Sequence, residues 1–69
     1  MAWIVTERLP SGRENTGAGS EAEAWKIADD IMRKRNGVAK IEIYNDVGII
    51  ASIDDVRTRL KERRYPGAV

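Results

Sequence analysis

A chain of 69 residues holds one domain, and a domain of that size buries only about 60% of the surface that its unfolded chain exposes. With no cysteine and no histidine it can form neither a disulfide nor a Cys/His zinc site, and it lacks both a thiolate nucleophile and a Ser-His-Asp arrangement. The formal net charge of +1 conceals an uneven distribution: residues 37–56 set Lys40 against Glu42, Asp46, Asp54 and Asp55, whereas residues 57–69 set Arg57, Arg59, Lys61, Arg63 and Arg64 against Glu62 alone. Such asymmetry bears on partners more than on fold.

The first element is "AWIVTER", whose period-two alternation of β-branched and aromatic residues predicts a strand with Trp3 and Val5 on one face and Ile4 and Thr6 on the other. Charge enters the chain within a few residues, so this segment is not expected to be a signal peptide. After Pro10, "PSGRENTGAGS" places three glycines among polar residues and predicts a flexible loop or a loose hairpin connection. "SEAE" at 20–23 reads as a capping box that opens a helix. Ala24, Trp25, Ile27, Ala28, Ile31 and Met32 then form its apolar arc, opposite Lys26, Asp29, Asp30, Arg33 and Lys34. Asp29 with Arg33 and Asp30 with Lys34 have the favourable spacing for ion pairs, and "NG" at 36–37 supplies the stop.

"VAKIEIYNDVGIIASID" predicts a hairpin. Ala39, Ile41 and Ile43 share one face, Lys40, Glu42 and Tyr44 the other, and Asp46-Val47-Gly48 suits a three-residue loop before a return strand over 49–53. Asp54 or Asp55 is then expected to cap a short helix reaching Arg64, ahead of Pro66 and Gly67. The expected fold is one α+β domain over 1–69. One helix packs on a three-stranded, mainly antiparallel sheet in the order β-α-β-β, followed by a short basic C-terminal helix, and the order of residues 57–69 is left open. No run approaches the ~20 apolar residues of a membrane span, and a reducing cytoplasm is the expected location.

Enzymatic chemistry is not expected, nor any cofactor or metal. The adjacent pairs Asp29-Asp30 and Asp54-Asp55 diverge by 100° on a helix and have simpler roles as ion-pair partners or caps. "TGAGS" has neither a strand leading into it nor a following Lys, so it makes no phosphate loop. The candidate binding residues are Arg57, Arg59, Lys61, Arg63 and Arg64 around the stripe of Val56 and Leu60, joined by Arg33 and Lys34 and by the aromatics Tyr44 and Tyr65. Each has a plainer alternative. Basic residues complement the C-terminal end of a helix dipole, Val56 and Leu60 can simply anchor a terminal helix, and the two tryptophans belong to apolar faces.

"AWIVTER", a polar loop containing "RENTG", "SEAEAWKIA" and "VAKIEIYNDVGIIASI" together resemble a group of small phage-encoded anti-CRISPR proteins that bind type I surveillance complexes. They also resemble a bacterial domain family of unknown function with a Trp-containing leading strand and a Gly-turn hairpin. The resemblance covers residues 2–54, consists of element order and apolar pattern, and carries no residue role over; the basic segment 57–64 lies outside it. It implies a stoichiometric inhibitor of phage or mobile-element origin that occupies a bacterial CRISPR-Cas complex and blocks its engagement of nucleic acid. The alternative is a nucleic-acid-binding module whose five C-terminal cations contact phosphates, with a log-log salt slope of about −4 on duplex DNA. A homodimer through the uncovered sheet face is a third expectation.

Overall fold

The computed structural model describes residues 2–68. Six elements follow in order: β1 (Trp3–Leu9), β2 (Gly12–Ala18), α1 (Glu21–Lys34), β3 (Lys40–Asn45), β4 (Gly48–Ala51) and α2 (Ile53–Glu62). The α+β class is as expected, but the sheet has four strands rather than three, in the order β2-β1-β3-β4 with every pair antiparallel.

The extra strand is β2, where a flexible loop or a loose hairpin connection with no second strand was expected. Pro10 and Ser11 make a two-residue turn between the paired residues Leu9 and Gly12, and the strand then pairs without interruption from Gly12 to Ala18 along β1. Only Ala18 is even partly buried, so β2 is an edge strand held by its backbone ladder, and no apolar alternation marks it. Gly12 has a φ of +142°, a conformation that side-chain-bearing residues rarely adopt, and this is where the chain leaves the turn.

Directly opposed residues of antiparallel strands share a face. One face carries Val5, Ile41, Ile43 and Ala51, all at most 1% exposed, and both helices lie against it. Ala24, Trp25 and Ala28 of α1 and Val56 and Leu60 of α2 complete this single core, with Trp3, Ile27, Ile31 and Met32 at its margin. Burying Trp25 and the aliphatic side chains around it removes the largest apolar area available to so short a chain. At the end of this face Glu7 is buried, and the Arg35 guanidinium satisfies it with Nε–Oε2 at 2.9 Å and Nη2–Oε1 at 3.3 Å. That fork ties the end of α1 to β1.

The helix termini refine the expectations. Ser20 caps α1 by accepting from the Glu23 N–H, but the Glu23 carboxylate reaches the Gly19 N–H at 2.9 Å instead of the cap residue itself. The α1 stop is as anticipated, with Asn36 and Gly37 at positive φ and the Gly37 N–H donating to Met32. The β3–β4 connection is tighter than expected: Asp46 and Val47 alone form the turn, Gly48 already pairs with Asn45, and β4 ends at Ala51. The α2 cap is Ser52, not Asp54 or Asp55. Its hydroxyl accepts from the Asp55 N–H while Asp55 accepts from the Ser52 N–H, each at 3.2 Å. The helix ends at Glu62, two residues early, because Arg63 turns into the left-handed region at φ 56°.

The backbone hydrogen bond from Ser52, followed by that with its hydroxyl, holds the Asp55 carboxyl below its ordinary pKa. A depressed folded-state pKa contributes stability above the unfolded value of about 3.9 and loses it as pH falls through the lowered folded value. Asp55→Asn should therefore be less stable than the parent at neutral pH and lose less on acidification through pH 4 to 2. Thermal melts across that range check this; parallel acid limbs for the two proteins would contradict it.

Candidate functional site

Two helices cover one face of the sheet and leave the other open. The strand register orders the open face into three rows. At one end Arg13, Arg8 and Lys40 lie side by side on β2, β1 and β3; two residues along come Asn15, Thr6 and Glu42; two further along come Gly17, Ile4 and Tyr44, with Ile49 of β4 beside Tyr44. The face therefore runs from a wholly cationic row through a polar row to an apolar and aromatic one.

The middle row fixes the geometry of the other two. The Thr6 hydroxyl donates to Asn15 Oδ1 at 2.9 Å, and Arg8 Nε donates to Glu42 Oε1 at 2.6 Å. Thr6 and Glu42 are both buried beneath their neighbours, and among the described residues no buried side-chain nitrogen or oxygen lacks a partner. The hydrogen bond and charge of Glu42, with a smaller contribution from Tyr44, raise the Arg8 pKa above its ordinary value. Arg13 and Lys40 are exposed, and among the described residues neither side chain has a hydrogen bond or ion pair. Ile4 is 40% exposed and Ile49 53%, which leaves the apolar row open to solvent.

The nine residues singled out from the sequence do not come together. Tyr44 lies on the open face as expected. Arg59 stands over the Trp25 ring with Cζ 4.5 Å from its centroid, and its Nε donates to the Arg64 carbonyl at 2.7 Å. Tyr65 stacks on the same indole at 5.6 Å between centroids. These contacts clasp the C-terminal segment onto α1. Arg64 pairs with Glu62 at 3.3 Å and Arg33 with Asp29 at 3.0 Å, while Arg63 forms the end of α2 and lines a hollow with Arg33 and Tyr65. Lys34 faces Glu7, Glu14 and Arg35, and Lys61 is exposed on α2. Arg57 turns the opposite way, into a depression of about 570 Å³ where Arg8, Arg35, Val38 and Lys40 also converge. The residues that the sequence reading missed are Arg8 and Arg13. The signal was present: once Pro10-Ser11 is taken as a two-residue turn, Arg8 must face Arg13.

Among the described residues no three acids are grouped to hold a metal ion, and no helix is long and apolar enough to cross a membrane. The clasp has a direct test. Tyr65→Ala should cost about 1–2 kcal/mol in urea unfolding, the stacked pair supplying about 0.5–1.5 of this beyond the buried area, and Tyr65→Phe should restore most of it. An unchanged midpoint for the alanine variant would leave Tyr65 without a structural role. No protein-family model, curated protein or solved structure matches this chain.

Proposed function

We propose that this chain is a small non-enzymatic interaction protein that acts by occupancy through the open face of its sheet. The observation supporting this is the juxtaposition on one uncovered surface of a cationic row, Arg13, Arg8 and Lys40, with a row of exposed apolar side chains around Tyr44. Tyr and Arg are residue types in which binding hot spots are enriched, and here they stand at opposite ends of one uncovered face. Non-enzymatic action is supported by the work that the carboxylate pairs already do: Asp29 holds Arg33, and Asp55 closes the capping box with Ser52 at the start of α2.

The resemblance to anti-CRISPR proteins gives this action a target, a bacterial CRISPR-Cas complex of type I whose engagement with nucleic acid is blocked. The C-terminal cations are not the binding surface in this reading, because Arg59 and Tyr65 are committed to Trp25 and Arg64 to Glu62. Purified surveillance complex tests it. The protein should co-elute stoichiometrically and reduce target-strand binding, Ile4→Asp should weaken this on the order of tenfold or more, and the double change Lys61→Ala with Arg64→Ala should leave it intact. Absence of co-elution would remove the CRISPR-Cas target; co-elution indifferent to Ile4→Asp would remove the open face.

A further inference from the structure

We propose that the ligand of the open face is a single strand of nucleic acid, with phosphates on the row Arg13, Arg8 and Lys40 and a base stacked on Tyr44. This rests on the reading of that face as the working surface and adds the chemistry of what it holds.

The cationic row is costly to the fold. Arg8 lies directly opposite Arg13 on one side and Lys40 on the other, and like charges in directly opposed positions destabilise a sheet. Edge strands do carry charges that discourage aggregation, which accounts for Arg13 on β2. It does not account for Arg8 and Lys40 on the two central strands. Glu42 relieves one of the three cations, and Arg13 and Lys40 have no counter-ion among the described residues. A polyanion lying across the three strands relieves the whole row.

The same geometry selects against other occupants. A second copy of the chain presents no acidic row: a two-fold pairing of open faces sets cations against cations or cations against Ile4 and Ile49, and Glu42 is already engaged. Duplex DNA offers phosphates but hides its bases, leaving the apolar row without a partner. A single strand offers both. Base–aromatic stacking is tolerant of sequence, and sheet surfaces that combine aromatic platforms with cations are an established way of holding unpaired strands. The two rows are four residues apart along β1, about 13 Å, which the long Arg and Lys side chains and one or two nucleotides bridge. A Cβ on Gly17 would meet nothing within 4 Å, so the strand's entry beside Ile4 is unobstructed. At the other end Arg57 extends the positive rim from Lys40 around the sheet's end.

The test uses the full chain with fluorescent single-stranded RNA and DNA oligonucleotides and a duplex of the same length, read by anisotropy against salt. Three phosphate contacts give a log-log slope of about −2 on single strands, or about a twentyfold loss between 50 and 200 mM salt. Arg13→Ala with Lys40→Ala should cut the slope to about −0.7, and Tyr44→Ala should weaken binding by about tenfold or more. Glu42→Gln keeps an acceptor for Arg8 and removes the negative charge of the middle row, so it should tighten binding several-fold. Lys61→Ala with Arg64→Ala should change neither affinity nor slope. The proposal is overturned by tighter binding to the duplex, by binding that the C-terminal pair abolishes while Tyr44→Ala does not, or by no binding to any oligonucleotide. In that last case, a surveillance complex still held through Ile4 means that the face takes protein and the proposed function stands; loss of that interaction too removes both readings.

Discussion

A four-stranded sheet has two faces, and the helical residues of this chain suffice for one. That constraint sorts every side chain in the molecule. Val5, Ile41, Ile43 and Ala51 look toward Trp25, Val56 and Leu60 and are removed from water; their neighbours in sequence, one residue along, point to the face that no helix covers. Because side chains alternate, choosing the covered face at Val5 also decides that Ile4, Thr6, Arg8, Glu42 and Tyr44 stand on the open one. A slip of one residue between β1 and β3 would bury Arg8 if β1 moved or expose Ile43 if β3 moved. The hydrophobic core therefore fixes the arrangement of the polar side chains on the sheet's opposite face.

Within that scheme the charged residues divide by what they face. Arg35 folds over the end of the covered face to neutralise the buried Glu7, and the benefit is structural: a carboxylate taken out of water costs several kcal/mol if left unpaired. Arg8 and Glu42 make the corresponding pair on the open face, but there the pair sits between two further cations with no acid of their own among the described residues. The first arrangement closes a charge balance and the second leaves an excess. Only the second has an unmet electrostatic demand, and it falls beside the exposed apolar row.

How far the sequence disclosed this depended on whether an element's pattern came from burial. β1, α1 and β3 each bury one side, so their periods were legible, and so were the faces of Ile41, Ile43 and Tyr44. β2 buries almost nothing and is built of Gly12, Arg13, Glu14, Asn15, Thr16, Gly17 and Ala18; its strand conformation comes from the ladder to β1, which no local pattern records. Missing β2 meant missing Arg13 as the neighbour of Arg8, and with it the cationic row. Asp55 was rightly placed at the start of α2 but misassigned as the cap, because Ser52 offers the same acceptor one turn earlier and Asp55 serves better as its reciprocal partner.

The C-terminal cations show the converse, a pattern plain in sequence that dissolves in space. Arg57, Arg59, Lys61, Arg63 and Arg64 form the densest charge run of the chain, yet a helix that ends at Glu62 and is anchored by Val56 and Leu60 must spread them around its axis. Arg59 is drawn to the indole, Arg63 to the turn that ends the helix and Arg64 to Glu62, while Arg57 passes to the sheet's far end. Density along a chain raises the local field only if the fold returns those charges to one surface. In β1, β2 and β3 three cations that form no run in sequence, Arg8, Arg13 and Lys40, are brought into one row by register alone. Strand pairing concentrates charge here and helix geometry disperses it, so the surface best suited to a polyanion lies on the sheet.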